Sequence, residues 1–156
     1  MSEPDRTKLL NFLVWTAGAA FAASWFLPVL DDVPGWMAFR YALAPLVPYA
    51  PASELDWEDS VPQVLSALTN VVFVILFALW LTKQRVRPGL FVRFTLVCLL
   101  LNLYWFVKAW REHGIKDLLM GYYVWLAAFA LMLAVAALIA FASRRTSTTP
   151  TGGTSS

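Results

Sequence analysis

Apolar residues fall in four long blocks, residues 9–30, 61–82, 90–107 and 118–142, and the charges gather in the gaps between them. Neither the two-residue alternation of a half-buried strand nor the polar face of a surface helix runs through these blocks. Segments that are apolar all round predict helices whose solvent is lipid. At 1.5 Å per residue, each block is about long enough to cross a hydrocarbon core of roughly 30 Å. The pattern therefore predicts an all-α protein, an integral membrane four-helix bundle. Residues 1–145 form one four-span domain, residues 31–60 an outer loop, and residues 146–156 a disordered cytoplasmic tail rich in Ser, Thr, Gly and Pro.

Punctuation refines these elements. Pro28 is expected to end or kink the first helix. In the outer loop, Pro34-Gly35-Trp36-Met37-Ala38-Phe39-Arg40-Tyr41-Ala42-Leu43 reads as a turn leading into a short interfacial helix, with its aromatic residues and Arg40 at the headgroup level. Pro45, Pro48 and Pro51 forbid regular helix after it. Ser60-Val61-Pro62-Gln63 reads as a capped start for the second span. The turn Lys83-Gln84-Arg85-Val86-Arg87-Pro88-Gly89 makes the second and third spans an antiparallel hairpin. Gly121-Tyr122-Tyr123-Val124-Trp125 opens the last span as an outer aromatic belt.

Composition supports the lipid reading. The 156-residue chain is 60% hydrophobic and only 14% charged, where a soluble domain is about a quarter charged. A net charge of +2, without a groove-sized basic patch, gives no case for nucleic acid. The basic residues set the threading. Arg6, Lys8, Lys83, Arg85, Arg87, Arg93, Arg144 and Arg145 lie on one side, against Arg40, Lys108, Arg111 and Lys116 on the other. The excess places both termini and the second loop in the cytoplasm of a multi-pass inner (plasma) membrane protein. A competing reading makes the first block a signal peptide cleaved near Ala20-Phe21-Ala22. The apolar run beyond that point is long for a signal sequence.

The candidate chemistry is sparse. Gln63, Ser66, Thr69 and Asn70 fall near one face of the second span. Thr95, Cys98 and Asn102 do the same in the third, at spacings of three and four. These stripes are expected to turn inward as interhelical hydrogen bonds, or to line a pocket for a small ligand, lipid or solute. Small residues form further interior faces in the first span (Ala17, Gly18, Ala22) and the fourth (Ala127, Ala130, Ala134, Ala137). Those of the first span serve packing within the chain or a homo-oligomer contact. No acidic, basic or imidazole group stands at membrane depth to carry protons. Paired histidines for haem, several cysteines for a disulfide oxidase, and nucleotide or hydrolase motifs are all missing. No catalytic residue, cofactor or metal is therefore assigned.

On the outer side, Glu54, Asp56, Trp57, Glu58 and Asp59 form an acidic segment. It lacks the ligand spacing of a calcium loop and reads as a solvated or partner-facing surface. With Trp36, Arg40, Arg111 and His113 it makes the candidate outer interaction surface. His113, without an evident orienting carboxylate, reads as structural. The expected partners are the bilayer and a membrane protein or a second copy of the chain. Three segments together resemble a family of small four-helix bacterial inner-membrane proteins of no known activity. They are Trp25-Phe26-Leu27-Pro28 with Pro34-Gly35-Trp36-Met37-Ala38; Leu68-Thr69-Asn70 with Phe73; and Gly121-Tyr122-Tyr123-Val124-Trp125-Leu126. The resemblance implies four spans and no reaction. The reading is a non-enzymatic membrane accessory or interaction protein, with ligand, lipid or solute handling by the second and third spans as the alternative.

Overall fold

The computed structural model describes residues 3–30, 32–46, 57–82, 87–112 and 118–146. Five helices account for 86% of these residues. In chain order the elements are α1 (Glu3–Ser24), β1 (Pro28–Leu30), β2 (Val33–Pro34), α2 (Gly35–Ala42), α3 (Trp57–Leu81), α4 (Pro88–Glu112) and α5 (Met120–Thr146). Three helical stretches, Ser60–Leu81, Pro88–Lys108 and Met120–Ser143, are long and apolar enough to cross a membrane.

The first block departs from expectation. Its helix stops at Ser24, ahead of the Pro28 expected to end or kink it, and residues 25–30 of the block are not helical, with Pro28 opening a strand. Proline disfavours helical geometry at the residue before it, so the helix ends ahead of it. The apolar residues from Trp25 onward are lost to the helix, while Lys8, Asn11 and Thr16 remain in it. Of the four expected spans, α1 is accordingly absent from the apolar set. The strict all-α expectation also needs amending, because β1 and β2 form a small antiparallel ladder. Asp32 turns the chain between them at φ 63°, a left-handed conformation that Asp tolerates through its short polar side chain.

Other boundaries moved less. α3 begins at Trp57, so Ser60 lies within its first turn and Pro62 inside the helix. α4 opens on Pro88, whose missing N–H is no loss at a first helical position. It runs on to Glu112, so Lys108, Trp110 and Arg111 belong to a helix. The short helix expected after Pro34 forms as α2. Glu54, Asp56, His113 and residues 147–156 lie outside the described residues.

The packing follows helical periodicity. α1 buries Leu10, Val14, Ala17, Phe21 and Ser24, at alternating steps of four and three, and lies along α5. α5 also packs on α4, and α4 on α3. The core gathers Val14, Phe21, Phe73, Phe129, Met132 and Val135. Phe21 stacks on Phe73 with centroids 4.2 Å apart, and Phe129 meets Phe73 edge-on at 5.2 Å. Rings in these arrangements attract beyond their contact area. Gly18 leaves room for the Phe77 ring, since a Cβ there would stand 2.6 Å from it. That residue serves packing within the chain, whereas Ala22 is exposed. The stripe Ala127, Ala130, Ala134 and Ala137 is exposed as well, contrary to its expected place in the interior. α5 turns the adjoining face inward, with Tyr122, Phe129, Met132 and Ala136 buried.

One end of the helices is tied by backbone. Ser24 Oγ donates to the carbonyl of Phe21. Gly35 N donates to Leu27 O at 3.1 Å, Trp36 N to Trp25 O at 3.1 Å, and Leu119 N to Val29 O at 3.0 Å. The ladder is thus sewn to both α2 and the start of α5. Gly121 permits this closeness, because a Cβ there would stand 2.6 Å from Pro28 O.

Candidate functional site

The two polar stripes meet. α3 and α4 are antiparallel, so Ser66 and Thr69, in the first half of α3, stand opposite Asn102, in the second half of α4. Ser66 Oγ donates to Asn102 Oδ1 at 2.9 Å. Thr69 Oγ1 has one proton and two acceptors in reach, Ser66 O at 2.6 Å and Asn102 Oδ1 at 3.2 Å. The shorter contact takes the larger share, as in other three-centre bonds. Asn102 is wholly buried, and Ser66, Thr69, Thr95 and Cys98 are buried with it.

α5 completes the arrangement. Tyr122 Oη donates to the backbone carbonyl of Asn102 at 2.6 Å. One turn further, Trp125 Nε1 donates to Asn70 Oδ1 at 2.8 Å, while Asn70 Nδ2 donates to Ala67 O at 3.2 Å. Asn70 is therefore satisfied at both ends of its amide, and it joins α3 to α5. Sequence reasoning placed Tyr122 and Trp125 in an outer aromatic belt and did not see these bonds. Their signal was present in the spacing: Tyr122, Trp125, Phe129, Met132 and Ala136 recur at three and four, the same rhythm that marks the buried face of α1.

Not every candidate joins the cluster. Thr95 Oγ1 donates within its own helix, to Phe91 O at 2.9 Å and Val92 O at 3.1 Å. Cys98 is a buried free thiol, and Gln63 is half-buried one turn before Ser66. Among the described residues, no group of three or more His, Cys, Asp or Glu stands ready to hold a metal.

The outer candidates are spread over separate elements. Trp36 and Arg40 are exposed on α2 and Arg111 is exposed in the last turn of α4. Trp57, Glu58 and Asp59 open α3. Behind Trp36, the Trp25 and Phe39 rings of the same corner meet at 5.2 Å. Lys108 Nζ stands 5.6 Å from the centroid of the Trp105 ring, within cation–π range. No family model, curated protein or solved structure matches the chain.

Chemically, the central arrangement is a set of neutral donors and acceptors. It can hold helices in register and it can hold one neutral polar group. The buried polar side chains among the described residues are hydroxyls and amides, which supply neither a charge nor a group that titrates near neutral pH.

Proposed function

We propose that the chain is a four-helix integral membrane protein of a bacterial inner membrane, acting as a non-enzymatic accessory or interaction protein. The observation that carries this reading is how the polar candidates are used. Ser66, Thr69, Asn70, Asn102, Tyr122 and Trp125 bond across α3, α4 and α5, which is how polar side chains join helices in lipid.

Insertion is supported by the outward faces. Leu65, Leu68, Val71, Val74 and Ile75 on α3, and Phe94, Val97 and Leu100 on α4, are exposed. A surface so apolar suits lipid and not water. In this reading α1 is the fourth span. It is 22 residues long, about 33 Å at the helical rise, and its buried face, Leu10, Val14, Ala17 and Phe21, packs along α5. Both termini then face the cytoplasm, and α2 lies at the outer headgroups with the Trp36 ring exposed toward a partner.

Two experiments test this. Affinity purification in a mild detergent, after crosslinking from Trp36 and Arg40, is expected to recover one membrane protein at fixed stoichiometry, or a second copy of the chain. A lone monomer would overturn the interaction reading. For topology, Glu3→Cys and Thr148→Cys, each in a Cys98→Ser background, are expected to react only with thiol reagents that reach the cytoplasm. Labelling of the two from opposite sides would remove α1 from the spans.

The alternative, handling of a small ligand, lipid or solute by the polar faces of α3 and α4, is favoured by one observation: the Nδ2 of Asn102 is buried and meets no hydrogen-bond partner among the described residues.

A further inference from the structure

Asn102 is 0% exposed and sits where α3, α4 and α5 meet. Its Oδ1 and its backbone carbonyl are both engaged, by Ser66, Thr69 and Tyr122. The hydroxyls at Oδ1 turn the amide so that Nδ2 points away from them. That nitrogen carries two protons, and among the described residues it meets no acceptor. Asn70 supplies the internal contrast, for its own Nδ2 reaches Ala67 O. A buried amide donor with no acceptor has given up water and received nothing in return. Such groups in folded proteins call for an explanation, and a bound molecule is the usual one.

We infer that Asn102 Nδ2 anchors a small buried site for one neutral oxygen acceptor, either a water molecule or the carbonyl oxygen of a small membrane-soluble molecule. The site's neutrality follows from its surroundings. Ser66, Thr69, Tyr122 and Cys98 provide no cation to balance an anion, and a buried unpaired charge is far more costly than a buried carbonyl. Asn102 precedes Lys108, the end of the apolar stretch of α4, by about 9 Å along the axis. The site deepens the ligand-handling alternative by naming the ligand's chemistry. It is also compatible with the interaction reading when the oxygen is water.

The test uses the full chain in lipid nanodiscs with 15N-asparagine. The sequence contains Asn11, Asn70 and Asn102, so only three side-chain amides appear, and Asn102→Leu assigns one of them. The Asn102 amide protons are expected to show cross-peaks either to a slowly exchanging water or to carbon-bound protons of a non-protein molecule. Transfer into fresh synthetic lipid distinguishes the sources: water cross-peaks persist and those of a carried molecule vanish. If these protons see only protein protons, including those of Ser66 and Thr69, the amide is satisfied by the chain and the site does not exist. Asn102→Leu is expected to remove the guest's cross-peaks and leave the Asn70 signals in place. Should that variant not fold, Asn11→Ser and Asn70→Leu assign the other two amides, Asn102 follows by elimination, and the wild-type spectrum decides.

Discussion

Where α3 meets α4 and α5 near Asn102, the contact is made by hydroxyls, amides, a phenol and an indole. Where α1 meets α3 and α5, it is made by rings and branched aliphatics around Phe21, Phe73 and Phe129. Both regions are buried, but they answer different problems. In water, apolar residues alone would drive either set of helices together. In lipid that drive is absent, and association rests on close packing and interhelical hydrogen bonds. The aromatic region is held by fit, with Phe21 stacked on Phe73 at 4.2 Å. The polar region is held by direction, with Trp125 aimed at Asn70 and Ser66 at Asn102. Fit fails through cavities and intrusions. Direction fails when a partner is removed, and it can be measured pair by pair.

The largest effect is expected in the aromatic region. Phe73→Ala empties a position that touches Phe21, Phe77 and Phe129. It should cost about 3 kcal/mol, the lower end of the range for a buried phenylalanine. Reversible unfolding in mixed micelles checks this. A cost under about 1 kcal/mol, within the range of a single interhelical hydrogen bond, would erase the contrast between the regions.

Next comes the corner where the ladder meets α5. Gly121→Val puts a side chain against the carbonyls of Leu27 and Pro28. Backbone cannot yield as a flexible side chain does, and a loss of about 2 kcal/mol is expected for such overpacking. The matched control is Gly89→Ala, where an added Cβ meets nothing within 4 Å. It should be neutral or slightly stabilising, as glycine is a poor helix former. Equal effects at the two glycines would show that propensity matters there and not the close approach.

The same contrast explains what could be read from the sequence. The polar stripes were legible because each hydroxyl or amide stands out against an apolar background. Thr95, Cys98 and Asn102 are buried as their spacing of three and four implied. Apolar positions give no such contrast in lipid, where the inward and outward faces carry the same residue types. The outward turn of Ala127, Ala130, Ala134 and Ala137 was hidden for that reason. So was the inward turn of Tyr122 and Trp125, whose residue types also suit an interfacial belt. The end of α1 was obscured by the apolar residues that continue into β1. Pro28 was the signal that mattered there, and the helix ends six residues before the apolar run does.

The smallest effect is the most discriminating. The amides within α3 and α4 join helices, and Asn70 with Trp125 is the cleanest instance. A double-mutant cycle with Asn70→Leu and Trp125→Phe isolates that bond, because each substitution removes one partner and keeps much of the volume. The predicted coupling is about 1 kcal/mol, within the range measured for interhelical hydrogen bonds in membranes. Both single variants should remain folded in the membrane and retain any partner recovered with the wild type. Additive losses with no coupling, or loss of partner or ligand binding at unchanged stability, would contradict the account.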